Sequence, residues 1–186
     1  NAGSLMPLLL FTSDGSDATA SFTTKIDSTY DSYLFIFNNM HPEEQDSYFQ
    51  FQGNTAGGSG FNETMTTTFF YAYVKESDGS DPTLAYNSSQ DLANGTSYAI
   101  ISADNTNNDA DGSLSGYLRL SNPSSTTFVK HYVSRISNSN GEGSTTYVCD
   151  CHSSGYFNTT SAIDEISFKF STGEIQGGTI GMFGVH

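Results

Sequence analysis

Cys149-Asp150-Cys151-His152 is the densest set of metal-type ligands in the chain, with two thiols, a carboxylate and an imidazole in succession. Thiolate and imidazole together suit zinc or copper. A closed tetrahedral site would need further partners, and His41, His131 and His186 are the remaining histidines, with no second cysteine pair. In an extended segment the two cysteines share one face with Cα atoms about 6.5–7 Å apart, so a disulfide between them would be strained. Two small side chains buried in a strand is the reading this favours. Asn107-x-Asp109-x-Asp111-Gly112 resembles the opening of a calcium loop, because alternating oxygen ligands before a bend wrap a hard cation. The twelfth position of such a loop should supply a bidentate Glu, but it falls on Leu118 and no helix flanks it. An Asn/Asp-rich surface turn is therefore expected, with Asn107, Asp109 and Asp111 kept as the candidate ligands for Ca2+. No other cofactor is implied.

Nucleophilic catalysis would need a Ser or Cys beside a His that a carboxylate orients, and no Gly-x-Ser-x-Gly elbow occurs. His41 precedes Pro42-Glu43-Glu44 in an expected loop, and His131 sits within a strand. Sandwich glycosidases place paired carboxylates on one strand face, whereas Asp164-Glu165 and Glu43-Glu44 are adjacent in sequence and lack that spacing. The chain is read as a non-enzyme. Its remaining functional signal is aromatic: tyrosines stack on sugar rings and fill protein interfaces. The side chains assigned to a partner surface are Tyr71, Tyr73, Tyr117, His131 and Tyr156.

The elements that must carry these residues are strands. Ile166-Ser167-Phe168-Lys169-Phe170 alternates apolar and polar side chains, as do Phe49 and Phe51 against Gln50 and Gln52. Leu114, Leu118 and Leu120 likewise stand opposite Tyr117 and Arg119. Three further segments are apolar on both faces: residues 33–37, 69–74 and 128–133. They read as central strands, or as strands carrying a subunit interface. Further strands are expected near residues 5–11, 18–24, 97–102, 145–151 and 179–185, roughly ten or eleven in all. Between them lie Gly/Asn/Asp/Ser-rich turns, and one short helical turn is expected over residues 88–93. This pattern predicts an all-β fold, a two-sheet antiparallel β-sandwich of jelly-roll type, in one domain over residues 1–186.

Twenty Asp and Glu against six Lys and Arg give a formal charge of −14, which repels nucleic-acid phosphates and anionic membrane surfaces. No apolar run approaches the ~20 residues of a membrane span. Neither nucleic acid nor membrane is an expected partner. The chain opens at Asn1 with no initiator Met or basic leader, the pattern of a processed chain or of part of a longer one.

Three stretches together resemble a group of virion-associated proteins of marine tailed bacteriophages. The first runs from Ile26-Asp27-Ser28-Thr29-Tyr30 through Phe35-Ile36-Phe37-Asn38-Asn39-Met40-His41-Pro42 to Phe49-Gln50-Phe51-Gln52-Gly53 and Gly57-Gly58. The second is Leu114-Ser115-Gly116-Tyr117-Leu118-Arg119-Leu120 with residues 122–131. The third is residues 155–164, then Ile166, Phe168 and Gly173, then Gly178-Thr179-Ile180-Gly181-Met182-Phe183-Gly184-Val185. The resemblance implies a β-sandwich displayed on the virion surface, as a capsid decoration protein or a short head or tail fibre. The implied partners are copies of the same chain, with a trimer as the expected state, and other virion proteins. A carbohydrate- or receptor-binding module that recognises host surface glycans is the alternative. The Cys149–His152 segment and the Asn/Asp-rich loop depart from the resemblance, and no catalytic residue follows from it.

Overall fold

A computed structural model describes residues 5–77, 79–103, 106–140 and 146–186. Among the described residues the chain forms twelve strands: β1 (Met6–Thr12), β2 (Ala20–Phe22), β3 (Ser32–Pro42), β4 (Phe49–Thr55), β5 (Met65–Lys75), β6 (Thr83–Tyr86), β7 (Ala99–Ile100), β8 (Leu114–Ser121), β9 (Lys130–Asn140), β10 (Tyr147–Phe157), β11 (Ile163–Phe170) and β12 (Ile175–Val185). One more strand is present than the roughly ten or eleven expected. The addition is β6, which pairs with β5 beyond the turn-rich segment. The expected helical turn is a single 3-10 turn at Ser88–Gln90, where the Asn87 side chain accepts from the Ser89 N–H.

The strands form two antiparallel sheets, of order β1-β12-β3-β8-β9-β10-β5-β6 and β2-β11-β4-β7. The pairs β1–β12, β2–β11, β3–β8 and β4–β7 are nested, and these eight strands fall alternately into the two sheets. That is the wrapping of a jelly roll, whose outermost strands pair first and innermost last. The remaining strands, β9, β10, β5 and β6, all extend the larger sheet beyond β8. The result is a β-sandwich in which an eight-stranded sheet overhangs a four-stranded one.

The core between the sheets is aromatic. Phe168 of β11 lies at its centre, with ring centroids 5.2 Å from Phe35, 5.1 Å from Phe37 and 5.9 Å from Phe49. Phe22 and Phe51 complete the ring cluster at 6.2 and 6.1 Å. Most of these contacts are edge-to-face, the arrangement the ring quadrupoles favour.

Polar side chains close the outside of the smaller sheet. Gln52, read from alternation as the solvent side of β4, is buried. Its Nε2 donates to the carbonyls of Glu63, Thr96 and Ser97 at 2.9, 3.2 and 3.0 Å, tying two loops across the strand. Ser167, on the outer side of β11, is also buried and accepts from the Ser21 hydroxyl at 3.0 Å. Lys169 lies over the Tyr98 ring, 4.5 Å from its centroid. Lys130, at the start of β9, is buried on the inner side of the larger sheet. Its Nζ donates to the Phe128 and Thr159 carbonyls, and burial holds its pKa below the usual lysine range.

Candidate interaction face

Every strand of the larger sheet turns alternate side chains away from the core, and among the described residues neither a helix nor the smaller sheet covers that side. The pairing register aligns these side chains in transverse rows. Leu10 stands opposite Gly181, Gly181 opposite Ile36, Ile36 opposite Tyr117, and Tyr117 opposite Arg135. The row continues from Arg135 to His152, Phe70 and Tyr86, so it crosses all eight strands. A second row, two residues along, runs Pro7, Phe183, Leu34, Arg119, Val133, Ser154 and Thr68. Many apolar side chains of this face are exposed: Leu10 at 70 % and Tyr86 at 63 % in the first row, and Leu84, opposite Ala72, at 76 %. Tyr117, Val133, Val148 and Phe70 are exposed as well.

The two outer faces of the sandwich therefore differ in chemistry. On β2, β11 and the N-terminal part of β4 the smaller sheet presents Ser21, Ser167, Lys169, Gln50 and Gln52, which are in register with one another. The larger sheet presents aliphatic side chains from β1 and β3, Phe183 from β12, and aromatic or aliphatic ones from β5 and β6. A narrow polar strip separates these two apolar ends. In it Arg135 makes a bidentate pair with Asp150, Nε to Oδ1 at 2.9 Å and Nη2 to Oδ2 at 2.8 Å. The hydrogen bond from Arg135 holds the Asp150 carboxyl below the usual carboxylate range, and Asp150 in turn raises the guanidinium. His152 Nε2 lies 3.4 Å from Asp150 Oδ2, and its ring stacks on Phe70 at 4.8 Å with an interplanar angle of 5°.

Three shallow cavities dent this face. One of about 460 Å³ lies between Leu34 and Ile36 of β3 and Tyr117 of β8. A second, of about 400 Å³, lies on the other side of Tyr117 and is bordered by Arg135, Ser137 and Asp150. Gly116 contributes to both. The third, of about 340 Å³, is walled by Thr66, Thr68, His131, Ser154 and Tyr156, with Gly155 among its lining residues. Both glycines are forced by close approach: a Cβ at Gly116 would collide with the Arg135 carbonyl, and one at Gly155 with the Thr66 carbonyl.

Of the residues assigned to a partner surface, Tyr117, His131 and Tyr156 come together on this face, with the His131 and Tyr156 rings 5.7 Å apart. Tyr71 and Tyr73 point to the opposite side of the sheet, where they stack on each other at 5.7 Å and Tyr147 meets Tyr73 edge-on. The alternation of β5 explains the split, since Phe70 and Ala72 occupy the outer side. Leu34, Ile36, Phe70, Leu84 and Tyr86 were not singled out from the sequence as site residues. The signal for the first three was the two-sided apolar character of their strands.

The other candidate groups are dispersed. Cys149 and Cys151 are buried on the inner side of β10, where Cys151 Sγ lies 3.3 Å from Asn138 Oδ1. Asp150 and His152 point outward, so the four-residue cluster is divided between two faces. Asn107 is buried, and its Oδ1 accepts from the Asp109 N–H at 3.0 Å, while Asp109 and Asp111 are exposed. The Asp109 carbonyl accepts from Gly112 at 2.8 Å and lies 2.9 Å from His41 Nε2; the Asp111 carbonyl accepts from Ser139 at 2.7 Å. His41, expected in a loop, lies within the last residues of β3, before Pro42. Among the described residues no three His, Cys, Asp or Glu side chains are grouped to hold a metal ion. Burial, and then the neighbouring Glu165, raise the Asp164 carboxyl, while Glu165 accepts from Asn54 at 2.7 Å. No protein-family model matches this chain, and neither the curated proteins nor the solved structures give a match.

Proposed function

We propose that this chain is a non-enzymatic structural protein of a virus particle's outer surface, a capsid decoration protein or short fibre, which works by packing the outer face of its eight-stranded sheet against neighbours. The observation carrying this reading is the contrast between the two outer faces, one polar, the other apolar at both ends, over β1, β12 and β3 and over β5 and β6, on either side of the polar strip at Arg135, Asp150 and His152. Monomeric proteins keep their largest exposed apolar patch to ~300–600 Å², and patches beyond that mark interaction sites. The placement on a virion rests on the resemblance of the three sequence stretches. Mass spectrometry of purified particles of the encoding virus, with electron microscopy of antibody-labelled particles, tests it. The chain is expected among the particle proteins, with label on the head surface or the tail. Its absence from particles of which all major components are identified would reject the reading.

A second reading, recognition of a host surface glycan, is favoured by the cavity beside Tyr156. The Tyr156 ring, the His131 imidazole and the side chains of Thr66, Thr68 and Ser154 border it with no Asp, Glu, Lys or Arg in its lining, a composition suited to a neutral sugar. Screening the protein on an array of host-derived polysaccharides tests this, with a signal expected that Tyr156→Ala removes. A blank array would leave the assembly reading alone.

A further inference from the structure

We infer that the partner covering the eight-stranded sheet is a second copy of this chain, whose Leu84 and Tyr86 enter the groove between Leu34, Ile36 and Tyr117. The inference rests on the assembly reading above and supplies its partner.

Charge selects the occupant. At −14, two copies repel through most of their surface. Among the described residues, Asp150 is the one acidic side chain in the strands of the eight-stranded sheet, and Arg135 neutralises it. Arg119 and Arg135 are the outward cations of that sheet, and the Asp91 carboxylate, which accepts from the Tyr86 hydroxyl, lies at its β6 end, so the groove side of the face is where such an acidic molecule is approached with least repulsion. Size agrees. The seven strands from β1 to β5 in sheet order, at ~4.8 Å spacing and ~24 Å of length, with the four-residue β6 at their edge, present roughly 800 Å², about what each partner contributes to a stable interface.

Shape gives the contact its direction. Leu84 and Tyr86 lie on β6, at one edge of the sheet, and are among the most exposed large apolar side chains. The groove lies between β3 and β8, with β9, β10 and β5 separating it from β6, so a chain cannot place its own β6 there. A neighbour can. Such a contact joins two different patches, and head-to-tail contacts of this kind build rings where the rotation between copies closes and open filaments where it does not.

Sedimentation equilibrium and light scattering on purified protein test the inference, with circular dichroism confirming that each variant is folded. Wild type is expected to be oligomeric. Leu84→Glu and Ile36→Glu should each weaken association by about tenfold or more, roughly 1.4 kcal/mol or more. The exposed Thr23→Glu adds the same charge near the smaller sheet and should leave association unchanged. Mixing the two disrupted variants is the decisive step. The Leu84→Glu chain keeps its groove and the Ile36→Glu chain keeps its β6, so they should form a one-to-one heterodimer that grows no further. Wild type that stays monomeric, variants that associate normally, a control that also dissociates, or a mixture that stays monomeric would each overturn the inference. Those outcomes leave detection of the chain in particles untouched, so the two proposals fail separately.

Discussion

Two side chains with the same formal chemistry sit in opposite electrostatic settings. Asp150 shares its charge with Arg135 at the surface, whereas Asp164 is partly desolvated beside Glu165 and its Oδ1 has no hydrogen-bond partner among the described residues. The folded pKa of Asp164 is thus raised above the unfolded value near 3.9. Between those values the native state holds more protons than the unfolded one, so stability falls as pH rises through the folded pKa, and at neutral pH the penalty is complete. Asp164→Asn should raise the melting temperature at pH 7 and give no gain at pH 3, where the wild-type carboxyl is protonated in both states. Thermal melts at the two pH values check this; equal effects at both would show that charge is not the cause. Gly116 makes a steric prediction. Its added Cβ meets the backbone of β9 rather than a movable side chain, so Gly116→Ala should cost about 1–3 kcal/mol in denaturant unfolding. A neutral substitution would mean that β8 relaxes away from β9.

At the scale of strands, alternation made much of the sandwich legible and left the larger sheet's outer face obscure. The repeat in residues 166–170 identified β11 and its core side chains Ile166, Phe168 and Phe170 correctly, because burial between two sheets leaves a period of two. The same repeat put Ser167 in solvent, and it is buried. What covers the back of a strand depends on loops far away in sequence. Strand β6 was missed because it is four residues long, lies at an edge and follows a segment of turn composition. Tyr117, His131 and Tyr156 could each be placed on strands, but periodicity says nothing about which side of another strand faces the same way. The cross-strand register supplies that, and it sends Tyr71 and Tyr73 to the other side. Gln52 illustrates what loops add. It is buried, and its amide satisfies three carbonyls of two loops, so Gln52→Ala leaves those groups poorly paired and should cost about 2–4 kcal/mol. Hydrogen exchange should accelerate in residues 56–64 and 91–98 before it does in β11. Uniform acceleration would show that Gln52 supports the whole sandwich rather than its loop cover.

For the whole molecule, net charge and the apolar face make opposing contributions to association, and salt separates them. Burial of side chains such as Ile36 and Leu84 is nearly indifferent to dilute salt, whereas repulsion between two bodies of charge −14 is not. Raising ionic strength from about 0.01 M to 0.15 M shortens the screening length from ~30 Å to ~8 Å. Among the described residues every carboxylate side chain other than Asp150 lies outside the strands of this sheet, and at low salt these charges repel across the contact. Association is therefore expected to strengthen with salt over this range, and sedimentation equilibrium at fixed protein concentration and neutral pH measures it. The opposite result would have a specific meaning: if association weakens as salt is added, Arg119 and Arg135 are engaging carboxylates of the neighbour, and the contact is ionic rather than apolar. Arg119→Gln would then abolish much of the salt dependence, whereas for an apolar contact it should slightly steepen it, because removing a cation leaves each copy more negative.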